Sequence, residues 1–349
     1  MTRVAHIIAG AVNGGAELFY ERLCRAQHAA GDQVLPIIRR NPARAARLRE
    51  AGMAPVELSF GPVFDLLTRP RIARALRAFR PDVAVAWMSR AASHLPRGDW
   101  VNVGRLGGYY DLRYYRTCDH LVGNTHGIVD WLRRQGWSAQ RTRYLPNFVN
   151  DFALTPAATD LPEGRRLLLG LGRLHTDKGF DTAIRALRHL EGSTLVLAGE
   201  GPERGRLEAL ARSVGVADRV MFLGWRQDAG ALLRAADVFV CSSRIEPLGN
   251  MVIEAWSAGC PVVAVAADGP GELITHEQDG LLTPQEDPAA LAAAITRLLD
   301  APVLAARLAA AGRRRFETAF TQPAVLAEWR GFLSGLHGSV AGAGVRAIG

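Results

Sequence analysis

The chain has 349 residues, a length that favours two folded domains over one. Hydrophobic residues make up 48% of it and charged residues 22%, which is ordinary for a soluble globular protein. No apolar run approaches the roughly 20 residues needed to cross a bilayer, so these values argue against both a disordered and a membrane-spanning chain.

Positive charge is concentrated in the first half of the chain. Residues 1–155 hold 22 basic residues against 12 acidic ones, whereas residues 156–349 hold 20 against 22. A basic half suits nucleic acid, an anionic membrane surface or a phosphorylated substrate. Because no zinc-finger, helix-turn-helix or RNA-recognition pattern accompanies the charge, we predict no nucleic-acid partner.

The cysteines and the start of the chain indicate a cytoplasmic protein. Cys24, Cys118, Cys241 and Cys260 show neither paired spacing nor a neighbouring His ligand pattern, which argues against a zinc site or a disulfide framework. The opening "MTRVAHIIAG" has a short apolar run with one early arginine and an internal histidine. A first β-strand explains this segment better than a signal peptide does.

Apolar strands alternate with helical segments along most of the chain. In the first half the strands are "RVAHIIAG", "QVLPII", "DVAVAWM" and "DHLVGN", and the helices are "GAELFYERLCRAQHAAGD", "RPRIARALRAF" and "GIVDWLRRQG". The alternation resumes with "RRLLLGLG", "STLVLAGEG", "RVMFLGW", "DVFVCSS" and "PVVAVA" as strands between helices. This pattern predicts an α/β protein with two doubly wound, Rossmann-like domains, each a parallel sheet covered on both faces.

A connection near residues 146–164, rich in Pro, Thr, Ala and Asp, separates the two domains. We therefore place the first domain at 1–155 and the second at 156–321. A helix over 322–336 is predicted to return to the first domain, and residues 337–349 are predicted to form a loose tail.

Glycines and cations follow the strands, at the sheet edge where doubly wound domains bind ligands. Gly14 and Gly15 precede the first helix, where backbone amides can approach a phosphate, although a tight turn explains them equally well. Arg173 and Lys178 follow the first strand of the second domain, and Lys178 is the one lysine among 42 basic residues. A cation in a first helical turn costs roughly 0.3–1 kcal/mol, which favours a bound anion over a solvated side chain.

Two acids flank a predicted helix start in "RIEPLGNMVIEAWSAGCPVV". A proline and a glycine follow Glu246, so that a short helix is predicted to begin near Asn250 as its N-cap, with Glu254 about one turn inside. The N-terminus of a helix attracts anions, and carboxylates accept hydrogen bonds from sugar hydroxyls. The alternative is a surface acid beside an acid that complements the helix dipole.

The same loops do not match the fingerprint of a dinucleotide-binding site. The pattern G-x-G-x-x-G lacks its third glycine in "GLGRLH" and "GEGPER" and its second in "GAVNGG". A nicotinamide-dependent dehydrogenase is therefore disfavoured.

Four segments in order resemble the retaining glycosyltransferases of family 4. They are "LLGLGRLHTDKGFDTAI", "LVLAGEGPERGRLEALA", "VMFLGW" and "SSRIEPLGNMVIEAWSAGCPVVAVAADGPGELITHEQDGLL". The resemblance covers almost the whole chain and implies the GT-B fold, in which two Rossmann-like domains face each other across a cleft. "RLGGYYDLRYYRTCDHLVGNT" and "YLPNFV" further resemble relatives that build lipopolysaccharide core or similar surface glycans.

The resemblance implies a role for each matching residue. Arg173 and Lys178 would neutralise the diphosphate of a UDP- or GDP-sugar, Glu246 would bind the transferred sugar, and Glu254 the ribose. Further donor contacts would come from Gly14, Gly15, Leu248, Gly249, Asn250 and Met251. The nucleotide sugar is a substrate, and neither a cofactor nor a metal is implied. Retention would follow from same-face attack, with a leaving phosphate oxygen accepting the acceptor's proton.

The first domain would bind a glycan or lipid-linked acceptor. The segment "RLGGYYDLRYYR" offers Arg105, Tyr109 and Tyr110, since tyrosines stack on sugar faces and arginines bind phosphates; a half-buried aromatic helix is the alternative. Many relatives carry a donor-contacting histidine after the fourth strand, and the nearest match here is His94, for which an ordinary surface histidine is the alternative.

Some features leave other functions open. Many relatives have an aromatic residue or a glycine after the first acid and a phenylalanine before the next glycine, whereas this chain has Pro247 and Leu248. "RPRIARALRAFRP" suits either an anionic inner-membrane surface or a solvated helix face over the core. Another GT-B enzyme, such as a sugar-nucleotide epimerase, and a non-catalytic nucleotide-sugar sensor remain alternatives.

Overall fold

The computed structural model describes residues 1–11, 14–61, 65–162 and 164–340. The chain divides into two compact units: Met1–Phe148 together with the residues from Gln322 onward, and Val149–Thr321. The division thus falls seven residues before the boundary expected at 155, and the segment that follows Phe148 packs with the second unit.

The first unit is built on a seven-stranded parallel sheet with strand order β3-β2-β1-β4-β5-β6-β7. Each of the six connections between consecutive strands contains a helix or a short turn of helix. The elements are β1 (Arg3–Ile8), α1 (Gly15–Ala29), β2 (Gln33–Arg39), α2 (Pro42–Glu50), β3 (Val56–Leu58), α3 (Thr68–Phe79), β4 (Val83–Trp87), α4 (Met88–Ser93), β5 (Val101–Leu106), β6 (His120–Gly123), α5 (His126–Arg134) and β7 (Thr142–Tyr144).

The second unit is built on a six-stranded parallel sheet with strand order β10-β9-β8-β11-β12-β13. Its elements are β8 (Arg166–Leu171), α6 (Phe180–Ala186), β9 (Ser193–Ala198), α7 (Arg204–Ser213), β10 (Val220–Gly224), α8 (Ala229–Ala235), β11 (Val238–Cys241), α9 (Asn250–Ala258), β12 (Val262–Val265), α10 (Asp268–Leu273), β13 (Leu281–Thr283), α11 (Pro288–Asp300) and α12 (Pro302–Ala319). The predicted fold class, two doubly wound α/β sheets, is confirmed.

Each sheet is buried on both faces, which explains the continuous apolar runs of its strands. In the first unit one hydrophobic cluster covers one face of β1 and β4 with α1, and a second cluster covers the opposite face with α3 and α5. In the second unit two clusters enclose β8, β9 and β11 in the same way. Successive side chains of each strand therefore enter alternate cores, so neither face can be polar.

The C-terminal helix α13 (Gln322–Val340) belongs to the first unit. Its Trp329 is fully buried and stacks on Trp87 of β4, with ring centroids 6.4 Å apart and an angle of 10° between the planes. The helix runs beyond its expected end at 336, because a single glycine such as Gly338 costs only about 1 kcal/mol in a helix interior and does not end it. Of the predicted tail, residues 341–349 lie outside the described residues.

The described helices were compared with the requirements of a membrane span. None of them alone has the length and apolarity to cross a bilayer; Pro288–Asp300 and Pro302–Leu336 reach the threshold only as a pair, bent by 101° at the break between them.

Candidate functional site

The predicted cation Lys178 lies in a short 3₁₀ turn, Thr176–Lys178, that follows β8 in the second unit. Gly179 ends this turn in the left-handed conformation, with φ of 58°. A Cβ atom there would lie 2.1 Å from the carbonyl oxygen of Ser242, so the turn approaches the end of β11 too closely for any other residue. Ser242 also donates a hydrogen bond from its hydroxyl to the Lys178 carbonyl, 3.0 Å away. The turn is thereby fixed against the segment that carries Glu246.

Lys178 and Glu246 form a direct ion pair in which Nζ donates to Oε2. The side chains are 23% and 14% exposed, so the pair is largely withdrawn from water but still open to a ligand. The other carboxylate oxygen of Glu246, Oε1, accepts the Gly249 N–H at 3.3 Å. One carboxylate therefore links the lone ammonium of the chain to the start of α9.

The start of α9 differs in detail from its prediction. The N-cap is Gly249, with φ of 88°, and Asn250 is the first helical residue, so the expectation that Asn250 caps the helix is wrong. The backbone at the cap position is left-handed, a conformation that favours glycine, so the cap falls on Gly249 and not on Asn250. Since glycine has no side chain, Gly249 cannot cap the first amides of α9 itself.

Arg244 holds the two halves of this site together. Its Nη1 and Nη2 donate to the two carboxylate oxygens of Asp181 at 2.8 and 2.9 Å, and Nη1 also donates to the Thr176 carbonyl at 3.0 Å. Nε donates to Glu286 at 2.7 Å. Burial by itself would raise the pKa of Asp181, but the hydrogen bonds and charge of Arg244 lower that pKa below its usual value. The fork of one arginine thus fixes the turn that presents Lys178.

The remaining predicted donor residues of the second unit are distributed around α9 and β8. Leu248 is buried, Met251 is half-buried in the first turn of α9, and Glu254 lies one turn further along at 9% exposure. Arg173 is exposed in the turn after β8, and its side chain makes no hydrogen bond or ion pair within the described residues. It is therefore the free cation near Lys178 in sequence, and its role stays a prediction.

Burial changes the acidity of the Cys241 thiol at the end of β11. Burial and, second, the charge of Glu246 raise the pKa of Cys241 to about 11, so that this cysteine is a neutral thiol at physiological pH. The four cysteines are all free and buried. Within the described residues no cluster of three or more His, Cys, Asp or Glu side chains is arranged to hold a metal ion.

The predicted glycine turn of the first unit is organised by an acid that the sequence analysis did not single out. Gly14 is the N-cap of α1 and Gly15 its first residue, whereas Val12 and Asn13 of the same motif lie outside the described residues. Glu17 accepts the Ala11 N–H at 2.7 Å, and its carboxylate fills the space where Cβ atoms of Gly10 or Gly14 would lie. The motif "GGAE" could have signalled this role, because the acid follows the glycines by two residues.

The predicted acceptor residues do not form one cluster. Arg105, at the end of β5, is 1% exposed; its guanidinium lies 4.7 Å from the Trp87 ring centroid and donates to Asn147 Oδ1 at 2.6 Å. Tyr110 lies close by, half-buried, while Tyr109 is exposed and packs edge-on against Trp131. The segment forms a 3₁₀ turn, Leu112–Tyr115, rather than the aromatic helix considered as an alternative.

His94 is separate from this group and is half-buried after α4. Its ring packs edge-on against Phe60, with centroids 5.8 Å apart, and burial is the main reason that its pKa lies below the usual value. The imidazole is therefore neutral at physiological pH, and a donor contact stays a prediction.

Family comparisons cover both units of the chain. Residues 151–315 match the family "Glycosyl transferases group 1", and residues 13–151 match "Glycosyltransferase Family 4". Two relatives from Rhizobium meliloti (strain 1021) match nearly end to end. The lipopolysaccharide core biosynthesis glycosyltransferase LpsD is 38% identical, covering 93% of this chain and 95% of its own, and LpsE is 34% identical, covering 93% and 96%.

Solved structures share the same fold. Anabaena Alr3699/HepE in complex with UDP has a TM-score of 0.84 at 21% identity, over 95% of this chain and 100% of that one. WaaG, a glycosyltransferase involved in lipopolysaccharide biosynthesis, has a TM-score of 0.72 at 19% identity, over 95% and 100%. Identities this low carry information about the fold alone.

Proposed function

This chain belongs to the group 1 and family 4 glycosyltransferases, has their GT-B fold and is a glycosyltransferase enzyme; from that premise we propose that it transfers a sugar, with retention of anomeric configuration, from a nucleoside diphosphate to a glycan or lipid-linked acceptor of the lipopolysaccharide core. The observation that carries the proposal is the Lys178–Glu246 pair at the start of α9. The names of LpsD and LpsE support the acceptor class, and the UDP bound to HepE supports the donor class.

The donor's diphosphate is proposed to bind where Lys178 meets the first amides of α9. A phosphate oxygen attracts both the ammonium and the positive end of the helix dipole. When the diphosphate takes up the charge of Lys178, the Glu246 carboxylate is released to accept hydrogen bonds from hydroxyls of the transferred sugar. Arg173, exposed nearby in the chain, adds a second cation, and Glu254 is proposed to accept the ribose hydroxyls.

Charge stabilisation at the leaving group is proposed to drive the reaction. As the bond between the sugar and the β-phosphate breaks, negative charge develops on the diphosphate, and Lys178 and Arg173 are proposed to stabilise it. The acceptor hydroxyl attacks from the same face and gives its proton to a phosphate oxygen, so Glu246 positions the sugar and removes no proton. We propose that these cations take the part that a bound metal has in other transferases; full activity after treatment with EDTA is the expected result, and loss restored by a divalent metal would contradict it.

A weak attraction to anionic lipid at the inner membrane face is proposed for α3. Its Arg71, Arg74 and Arg77 are exposed, while its apolar residues Ile72 and Leu76 are buried in the first unit. Because the exposed arginines carry the attraction, the contact would be mainly electrostatic and sensitive to salt. Cosedimentation with anionic vesicles at low salt, abolished at high salt and absent with neutral vesicles, is the expected result.

A donor panel tests the proposed function. Purified protein is incubated with UDP- and GDP-sugars and a truncated lipopolysaccharide core, and the product is analysed by mass and by the anomeric NMR signal. A mass increase of one sugar with the donor's anomeric configuration is expected. A nucleotide sugar whose configuration changes without an acceptor would indicate an epimerase, and binding without turnover would indicate a sensor.

A further inference from the structure

Arg105 is a buried cation without an acidic partner. It is 1% exposed, and within the described residues no carboxylate lies within the 4.0 Å of an ion pair. Its Nη2 donates to the neutral amide of Asn147, its Nε has no partner, and the rings of Trp87 and Phe19 lie 4.7 and 5.5 Å from the guanidinium. A buried charge without compensation is costly, so an arginine kept in this state indicates a missing anion.

Three hydrogen-bond donors, one of them from Arg105, face the side of Gly107 that would carry a side chain. A Cβ atom built on Gly107 would lie 3.1 Å from Arg105 Nη1, 3.9 Å from Asn124 Nδ2 and 3.9 Å from Tyr110 Oη. These are the three nearest heavy atoms to that point outside Gly107 and its chain neighbours. Because Gly107 has no side chain, an anionic oxygen in van der Waals contact with its backbone can approach these donors, which hydrogen-bond an oxygen at about 2.9 Å.

Asn124 supports the same interpretation from the neighbouring strand. It follows β6 and is 4% exposed, yet its Oδ1 has no hydrogen-bond partner. Buried amide side chains are normally paired. Oδ1 is an acceptor and cannot bind an anion, so its open position suits a hydroxyl donor of the same ligand, beside the anionic oxygen that Nδ2 would bind. Gly107 keeps the space open: its φ lies outside the left-handed region, so the backbone does not by itself require a glycine here.

We propose that Arg105, Asn124 and Tyr110 form a cradle around Gly107 for one negatively charged group, phosphate or carboxylate, of the acceptor. The assignment of this group to the acceptor rests on the proposed function. In that proposal the donor diphosphate binds Lys178 and Arg173, which belong to the second unit, whereas the cradle belongs to the first. A guanidinium and an amide donate hydrogen bonds to phosphate and carboxylate oxygens alike, so the cradle recognises the negatively charged oxygens that both groups share.

The electrostatics of the site agree with an anion. Burial lowers the pKa of Arg105 to about 10, which still leaves the guanidinium charged at neutral pH. Burial likewise raises the pKa of Tyr110, so its hydroxyl remains a neutral donor. Glu17, the nearby acid that acts on Tyr110, already accepts the Ala11 N–H.

Two substitutions test the cradle and one serves as a control. In Gly107→Ala the added methyl group projects towards the three donors and blocks the approach of a ligand oxygen. In Asn124→Asp a carboxylate of nearly the same shape gives Arg105 a negatively charged partner within the protein. This is expected to raise the melting temperature and to block an external ligand. Gly331→Ala in α13 is the matched control, because nothing lies within 4 Å of its Cβ position.

Calorimetry with inorganic phosphate and, separately, acetate gives a binding readout that needs no catalysis. The titrations use the full chain carrying Lys178→Ala and Arg173→Ala, which removes the cations proposed for the donor. Saturable binding of at least one anion is expected, with Kd raised about tenfold or more by Gly107→Ala or Asn124→Asp and unchanged by Gly331→Ala. Absence of saturable binding, or equal Kd in all variants, would overturn the cradle.

The transfer assay distinguishes the two proposals. With the otherwise unaltered chain, Gly107→Ala should raise KM for a charged core acceptor about tenfold while the donor KM stays the same. A raised donor KM instead would show that the cradle binds the donor and would overturn the assignment to the acceptor. If the anion binds as expected but no sugar is transferred, the proposed function fails and the cradle stands; if transfer occurs and neither Kd nor acceptor KM responds, the cradle alone fails.

Discussion

Lys178 and Glu246, 68 residues apart in the chain, are joined by a hydrogen bond from Nζ to Oε2. The contact forms because the turn after β8 and the segment after β11 meet at the carboxyl ends of adjacent strands of one parallel sheet. A second bond, from the Gly249 N–H to Glu246 Oε1, connects the pair to α9. A cation, an acid and a helix N-terminus thus occupy one small region of the second unit.

Replacing Glu246 by alanine is expected to lower kcat by about two orders of magnitude, since a preorganised contact to the reacting sugar contributes roughly 3 kcal/mol. Nucleotide binding should be no weaker, because Lys178 loses a carboxylate that competes with phosphate. The value of kcat is measured from the amount of product formed, and Kd for the nucleotide is measured by calorimetry. Glu191→Ala, at an exposed position, is the control. An unchanged kcat with intact donor binding would refute the role of Glu246.

Arg244→Lys is expected to weaken nucleotide binding about tenfold although the positive charge is kept. Lysine cannot reproduce the fork that reaches both oxygens of Asp181 and the Thr176 carbonyl, so the turn carrying Lys178 loses its support. Calorimetry with the preferred nucleoside diphosphate measures the effect. Arg166→Lys, in an exposed pair with Asp300, is the control and should bind as the unaltered chain does.

Gly179→Ala is expected to destabilise the second unit by about 3 kcal/mol or more. The left-handed backbone alone costs a non-glycine residue about 1 kcal/mol, and a Cβ 2.1 Å from the Ser242 carbonyl oxygen adds a clash that only backbone movement relieves. Gly215→Ala isolates the first term, because its φ is 73° and nothing lies within 4 Å. Urea unfolding compares the two; equal losses of free energy would show that the close approach is not required.

The sheets could be predicted from the sequence because most of their strands are continuous apolar runs, but β3, β5 and β7 were not predicted. The segment of β5, "VNVGRL", contains Asn102 and Arg105, which are polar and yet fully buried. Asn102 is satisfied by the Trp100 ring N–H and by carbonyls of Pro96 and Thr117, and Arg105 donates one hydrogen bond to Asn147, 42 residues away. A pattern of hydrophobicity cannot show that a polar residue has a distant partner, so the strand resembles a loop.

The candidate site shows the same limit. The residue types at the strand ends identified Lys178, Glu246 and the start of α9, because those ends meet at one edge of a parallel sheet. The support from Arg244 could not be predicted: one arginine among 41 has no distinguishing local pattern, and its partners Asp181 and Glu286 lie 63 and 42 residues away. The carboxylate that organises the Gly14 turn was overlooked for a similar reason, since Glu17 lies on an amphipathic helix where acids are common.

His6 is expected to make the first unit sensitive to mild acid. Trp87 donates its ring N–H to Nδ1 at 3.1 Å, so the proton resides on Nε2, which donates to Gln27 Oε1 at 2.7 Å. Burial lowers the pKa of His6 from 6.5 to about 4. Between these two pH values His6 is therefore protonated in the unfolded chain and neutral in the folded unit. The contribution of His6 to the free energy of unfolding is therefore fully present above pH 6.5. It falls by about 3 kcal/mol as the pH drops to about 4.

The variant His6→Asn separates this effect from the titration of carboxylates. Asparagine keeps an acceptor for Trp87 and does not titrate, so the free energy of unfolding of the variant should fall less steeply between pH 6.5 and 4. Urea unfolding followed by tryptophan fluorescence at several pH values measures both slopes. Parallel slopes for the two proteins would show that His6 is not the responsible group.

The most direct measurement of the central claim compares a nucleoside diphosphate with its nucleoside. Calorimetry is carried out with UDP and uridine, or GDP and guanosine if that pair binds better, on the unaltered chain and on Lys178→Met. If the ammonium and the start of α9 bind the diphosphate, Lys178→Met weakens the diphosphate about tenfold or more and leaves nucleoside binding unchanged. Equal affinity of the two proteins for the diphosphate would contradict the account.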